Sequence, residues 1–477
     1  MNCRCRCISI LLCLAFAGLG AGCASELLPI QQEFRQGDFE AAANQIRGYA
    51  DAHDAGTPQT VIALIEHGSM ARMVGRFAES DAAFAAAEAA MADMAERPGI
   101  GAAERISAMA RTPDRIAYEG FFYDRQFVAA YRALNALALG NLEDARQHFV
   151  RADRWQALAI LENRKRAEQL REEQEAARRE FGAFDRAASD PRLAASTRER
   201  YGDLEQYEAY AEFANPYVDM LRAVYLMGMA EGAGDYDVAR NLMRRVAGMA
   251  PQNRFVLEDL DLADKLAQGE IERPDLVYVF FETGLAPLRA QSRISVPVFI
   301  VSDRVQIVPI AAPYLVFDET YAPVLNAQGV STSPLASVDR IVAAEFGAQL
   351  PGLTTRMIAA AAFKVGVQYG MNEFAQQTDP ILHLFTMLAG GIWAASTNEA
   401  DLRTWATLPK EVQYVRLETP ADGRVQLTIA GRSYSVPVES DGINLVIVRS
   451  VRPGFAPLIT STLLQPEPWT FAQLESP

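Results

Sequence analysis

Ile271-Glu272-Arg273-Pro274-Asp275-Leu276-Val277-Tyr278-Val279-Phe280-Phe281 is the stretch at which the chain changes period. Pro274 breaks a helical pattern, and six branched or aromatic residues follow without interruption, as in a strand buried on both faces. Upstream, from residue 24 to about 269, almost no window alternates with period two, and Ala, Leu, Glu and Arg recur at helical spacing. Downstream, 294–301 and 305–309 read as strands, with Pro297 pushing the first towards an edge or bulge. The segments 338–348 and 354–369 read as two helices divided by Pro351-Gly352. Val425, Leu427 and Ile429 alternate with Arg424, Gln426 and Thr428, and Asp422-Gly423, Gly431-Arg432 and Asp441-Gly442 supply hairpin turns. The fold expected is therefore α+β: a helical half over 23–270 and a mixed half over 271–477, with a small antiparallel β module at about 412–451. The helical half is expected to fold by itself.

Within the helical half a motif recurs: Gly, then an aromatic or Leu two residues on, a small residue three further, and an apolar residue four beyond that. It occurs as Gly37, Phe39, Ala42 and Ile46, then as Gly75, Phe77, Ser80 and Phe84. It returns as Gly140, Leu142, Ala145 and Phe149, and as Gly234, Tyr236, Ala239 and Met243. Gly68 adds a glycine on the first helix of the second copy. The pattern resembles the tetratricopeptide repeat, in which glycine turns join paired helices and small residues let the helices approach. The copies are unevenly spaced, so the array is degenerate or carries insertions; a generic bundle of helical hairpins has the same pattern. The resemblance implies an open face for a peptide or protein partner. The charge-dense stretch 163–205 interleaves both signs and reads as a solvated, extended helix, or as a coiled-coil arm.

All five cysteines lie in the first 23 residues, at 3, 5, 7, 13 and 23. Arg4 and Arg6 precede an apolar stretch at 8–19, and Leu19-Gly20-Ala21-Gly22-Cys23 follows. This resembles the lipobox of a bacterial lipoprotein signal; an ordinary signal peptide with a chance cysteine is the alternative. The resemblance implies a signal peptide over 1–22 and a diacylated Cys23 as first residue of the mature chain. Such an anchor holds stably, since each buried methylene contributes about 0.8 kcal/mol. Ala24-Ser25 after the cysteine, with no Asp, implies by the same resemblance a lipid-anchored protein of the outer membrane, facing the periplasm.

The chain has 60 acidic and 45 basic residues, a formal net charge of −15. Neither half offers the basic face that nucleic acid requires, and charge alone does not bring the chain to anionic lipid. Only four residues are His (His53, His67, His148 and His383), none paired at metal-ligand spacing, so no metal or cofactor is expected. No phosphate loop, Gly-x-Ser-x-Gly elbow or His-Glu-x-x-His motif occurs. Paired carboxylates such as Asp259 and Asp261 are common in acidic helices and select nothing. The apolar segment 380–395, with His383 inside it, is too short to span a bilayer; it reads as a core helix or as a segment resting on the membrane.

The stretch 276–284, the Thr355-Arg356 helix with Lys364, and Ala400-Asp401-x-Arg403-x-Trp405 followed by Leu408-Pro409 resemble a family of uncharacterised bacterial lipoproteins. That family combines a repeat-bearing helical half with a mixed α/β half, and the resemblance implies envelope work, in the neighbourhood of peptidoglycan synthesis. Asp401, Arg403 and Trp405 are candidates for a partner-binding patch or for an internal ion pair and anchor. The leading expectation is a scaffold that binds protein partners in the cell envelope. A cell-wall-acting enzyme with an unrecognised carboxylate site is the alternative.

Overall fold

The computed structural model describes residues 24–53, 57, 59–96, 118–210, 214–299, 304–373 and 400–466. The segment 1–22 expected to be a signal peptide, Cys23, and the segment 380–395 with His383 lie outside them.

The helical half is built of hairpins. The first pairs α1 (Ala24–Gln36) with α2 (Phe39–Asp51), and the second pairs α3 (Thr60–Met73) with α4 (Phe77–Glu96). The third pairs α5 (Phe122–Ala138) with the long α6 (Leu142–Glu180). After the short α7 (Phe184–Ala188) and α8 (Pro191–Tyr201), α9 (Pro216–Gly228) pairs with α10 (Ala233–Met249), and α11 (Arg254–Gln268) packs on α10. Gly37, Gly75 and Gly140 make the first three turns with φ between +78° and +91°, a region that costs any residue with a Cβ about 1–2 kcal/mol. Ala42, Ser80, Ala145 and Ala239 have no exposed surface. A Cβ on Gly68 would sit 2.5 Å from Phe84, so glycine there sets the spacing of α3 and α4. The fourth glycine departs from the motif: α10 begins at Ala233, and Gly234 lies inside the helix instead of forming the turn.

The charge-dense stretch is not one extended helix. The chain breaks after Glu180 and folds back through α7 and α8 onto a two-stranded ribbon of β2 (Leu288–Phe299) and β3 (Val305–Val316). The arginines there are more than a solvated face: Arg186 lies 4.4 Å over the Phe299 ring and Arg200 4.6 Å over Tyr314.

The main sheet has the order β11-β10-β1-β7-β6. Its centre is β1 (Leu276–Thr283), buried at every position; β6 is Ser333–Ser337, β7 Glu411–Glu418, β10 Ile443–Ser450 and β11 Leu458–Leu464. A smaller sheet joins β4 (Leu325–Ala327) and β5 (Val330–Ser331) to the hairpin of β8 (Arg424–Ile429) and β9 (Arg432–Pro437). The expected antiparallel module at 412–451 is thus divided between two sheets. β7 and β10 flank β1, and β10 runs parallel to it, Leu276 opposite Ile443. The reason is burial: β10 is apolar on both faces and needs an interior position, whereas β8 alternates exposed and buried and can face solvent on one side.

One helix, α12 (Val338–Glu373), runs through Pro351, where two had been expected. Tertiary contact outweighs the lost hydrogen bond. At Gly352, Leu170 of α6 fills the space of a Cβ, and Arg166 of α6 pairs with Glu345 of α12 at 2.6 Å. The two halves do not have separate cores. One buried apolar cluster runs from Leu27 to Leu464, with Tyr217 of α9 against Phe280 of β1 and Phe255 of α11 against Tyr414 of β7. Among the described residues no helix is long and apolar enough to cross a membrane.

Candidate functional site at the junction of array and sheet

Residues 400–408 leave the sheet side and enter the groove between α1, α3, α4 and α5. Trp405 has no exposed surface. Its ring lies 5.7 Å from Phe84, 5.9 Å from Tyr131 and 6.4 Å from Phe127, mostly tilted or edge-on, the favoured aromatic geometry. Its Nε1 donates to Ser69 Oγ at 2.7 Å. Glu66 of α3 holds the next two residues: Ala406 N–H donates to Oε1 at 2.8 Å and Thr407 Oγ1 donates to Oε2 at 2.5 Å. Gln31 of α1 donates to the same carboxylate at 2.8 Å. Burial raises the Glu66 pKa, and these three donors oppose the rise.

Asp401 and Arg403 form a forked pair at 2.8 and 2.7 Å, and the Arg403 guanidinium lies 5.5 Å from the Tyr118 ring centre. Burial pushes the Asp401 carboxyl up, but the Arg403 hydrogen bonds and charge hold it below its ordinary value. Arg403 and Trp405 therefore face inward at this junction, while the Asp401 side chain stays 32% exposed, and a partner does not reach the Trp405 ring. The stretch 276–284 converges on the same place. Glu282 accepts from Tyr217 of α9 at 2.7 Å. Arg449 of β10, buried, donates to the carbonyls of Gly284 and Thr407 at 2.7 and 3.1 Å. Between them lies a small cavity of mixed lining, where Arg72, Glu282, Thr407 and Arg449 meet the apolar Phe34, Met73 and Leu458.

Other buried carboxylates tie elements together. Asp259 of α11 accepts from Tyr278, Tyr414 and Arg416, each at 2.9 Å; Asp261, its neighbour in the sequence, is exposed and pairs with Lys265. Asp339 at the start of α12 meets Lys410 Nζ at 2.5 Å, and the Lys410 carbonyl accepts from the Val338 and Asp339 N–H groups. Asp124 of α5 accepts from Tyr118 at 2.5 Å and from the Phe121 N–H at 2.8 Å, while its Oδ1 has no hydrogen-bond partner among the described residues. Glu345, whose charge bears on Asp124, accepts from Arg166 and also leaves one oxygen without a partner among the described residues.

Burial pushes Asp124 up to about 7, and Asp259 and Asp339 to about 6, from 3.8. Their folded pKa values lie above the unfolded one, so between about pH 4 and 7 the folded chain holds more protons. Stability contributed by these groups is full below that window and falls as pH rises through it, by up to about 1.4 kcal/mol per pH unit per group. Urea midpoints from pH 4.5 to 7.5 should decline, and Asp124→Asn, which keeps the acceptor oxygen, should flatten the decline. An unchanged slope in Asp124→Asn would contradict this assignment.

The repeat residues take scaffold positions: Phe39, Phe77 and Tyr236 are half-buried, and Phe84 is fully buried under Gly68. Among the described residues no three His, Cys, Asp or Glu side chains gather as a metal site would require, and His67 instead meets Glu79 at 2.8 Å. Glu66, Asp124, Glu345 and Arg449 were missed by the sequence reading. Glu66 had a signal: one acid directly after the apolar run Val61-Ile62-Ala63-Leu64-Ile65 of α3.

No family model matches the chain, and no curated protein matches it. Among solved structures, a tetratricopeptide repeat protein from Parabacteroides merdae matches at 17% identity, over 50% of this chain and 98% of that one, with a TM-score of 0.14.

Proposed function

We propose that the chain is a lipoprotein held by Cys23 in the bacterial outer membrane, facing the periplasm, where it acts as a protein-binding scaffold in envelope or peptidoglycan biogenesis. The observation that carries the scaffold reading is the filling of the array's inner face by residues 400–408 of the same chain. The repeats and the sheets then share one apolar core, and partners meet its outer faces. On α6, Leu158 and Leu161 are 40% and 48% exposed, an apolar spot on an otherwise charged helix. A photo-crosslinking residue at Arg154, exposed one turn before Leu158, should capture a discrete envelope protein in cells, and Leu158→Glu with Leu161→Glu should abolish that capture while the fold is kept. Capture that survives the double change would count against this face. For the anchor, metabolic labelling with a fatty-acid analogue should mark the wild type and leave Cys23→Ser unmarked.

The enzyme reading draws on Asp124 and Glu345, two buried carboxylates that each keep an oxygen without a partner among the described residues. Asp124→Asn or Glu345→Gln in a folded, normally located protein tests it. Complete loss of complementation by either would favour catalysis over the scaffold.

A further inference from the structure

The hairpins place their ends on two opposite edges. Arg76, beside the Gly75 turn, donates to Asn44 Oδ1 at 2.9 Å and pairs with Glu40, so that turn lies beside the start of α2 and the Gly37 turn. Asn135, near the end of α5, donates to Ser80 at 2.8 Å and accepts from Arg72 at 2.6 Å, which brings the Gly140 turn to the same edge. The opposite edge therefore carries the start of α1, the end of α2, the end of α4 and the start of α5, and a Cβ on Gly120 there would lie 2.6 Å from Met91 Sδ. α1 begins at Ala24, and Leu27 is already buried, at 6% exposed. Four residues of helix rise only about 6 Å. Helix α1 thus begins at the residue that follows Cys23 in the sequence and enters the core within about one turn.

We infer that the edge formed by the start of α1 and the end of α2 is seated on the phospholipid bilayer, with the glycine-turn edge directed away from it. The inference rests on the anchor reading above. Acyl chains on Cys23 sit below the headgroups, and a link of a few angstroms cannot hold the body clear of the surface. α1 has 13 residues, so the two edges differ in height by about 20 Å. The seat explains why α1 is fixed at both ends of its length: Leu27 is in the core, and Arg35 pairs with Asp318 at 2.8 Å. A helix so held transmits the anchor's position to the whole body.

The mature chain has no cysteine besides Cys23, so single fluorophores can be placed on Ala52→Cys, exposed at the end of α2, and on Asn141→Cys, exposed beside the Gly140 turn. The lipidated full-length protein is reconstituted in phosphatidylethanolamine–phosphatidylglycerol vesicles carrying a headgroup nitroxide. Quenching should be several-fold stronger at position 52 than at 141. A 20-residue Gly-Ser insert between Ser25 and Glu26 should bring the two together. Equal quenching without the insert, in protein that carries the fatty-acid label, overturns the seat alone. Absence of the label from the wild type overturns the anchor reading and the seat with it.

Discussion

Trp405→Ala should destabilise the protein by about 3–5 kcal/mol, the range for deleting a large buried aromatic side chain. The whole indole is buried among Phe84, Phe127 and Tyr131, and its N–H is bonded to Ser69. The cost should sit near the upper end of that range. Without the ring, residues 400–408 lose their seat, and the Glu66 carboxylate loses the fixed donors at Ala406 and Thr407. Trp405→Phe should recover part of the loss, because it refills most of the volume without the donor. The measurement is the urea midpoint with its slope. A loss under about 1 kcal/mol for Trp405→Ala would mean that the groove does not depend on its filling.

The larger effect is expected from separating the halves. A fragment of residues 24–269 should show helical circular dichroism but no cooperative melt, and should bind a hydrophobic dye. In the intact chain Phe84, Phe127, Tyr131, Tyr217 and Phe255 are covered wholly or partly by residues that follow Pro274. At about 1.5–3 kcal/mol for each buried side chain, uncovering five costs on the order of 10 kcal/mol. That equals the whole stability of a typical domain, about 5–15 kcal/mol. A sharp melt without dye binding would show that the helices carry a sufficient core of their own, as their periodicity alone suggests.

Helices and turns were legible where a local constraint sets them. Glycines at positive φ mark three of the four hairpins because another residue there would be strained. The fourth was misplaced because the start of α10 at Ala233 is set by packing and not by the motif. The alternation in β8 and β9 shows which face is wet, and Asp422-Gly423 and Gly431-Arg432 show where the chain turns. Neither shows that β10 passes its nearest neighbours in sequence to lie beside β1. That choice depends on two-sided burial, which one strand's pattern permits but does not assign. The site was legible as a motif and not as a network: Asp401, Arg403 and Trp405 stand together in the sequence, but Glu66 and Arg449 join them only through the fold. The same limit applies to Pro351, where the propensity for a break is overruled by Leu170 pressing against Gly352.

The parallel pairing of β1 with β10 also fixes a sequence of events in time. A chain that emerges from its N-terminus completes the helices and β1 long before Ile443 exists to lie beside Leu276. Until then one flank of the most apolar strand is an open ladder of N–H and C=O groups, able to accept a strand from any neighbouring chain. Contacts between such distant residues form slowly, because a long loop must close before they reward it. Until β10 arrives that edge needs shielding, a kinetic requirement that equilibrium stability does not reveal.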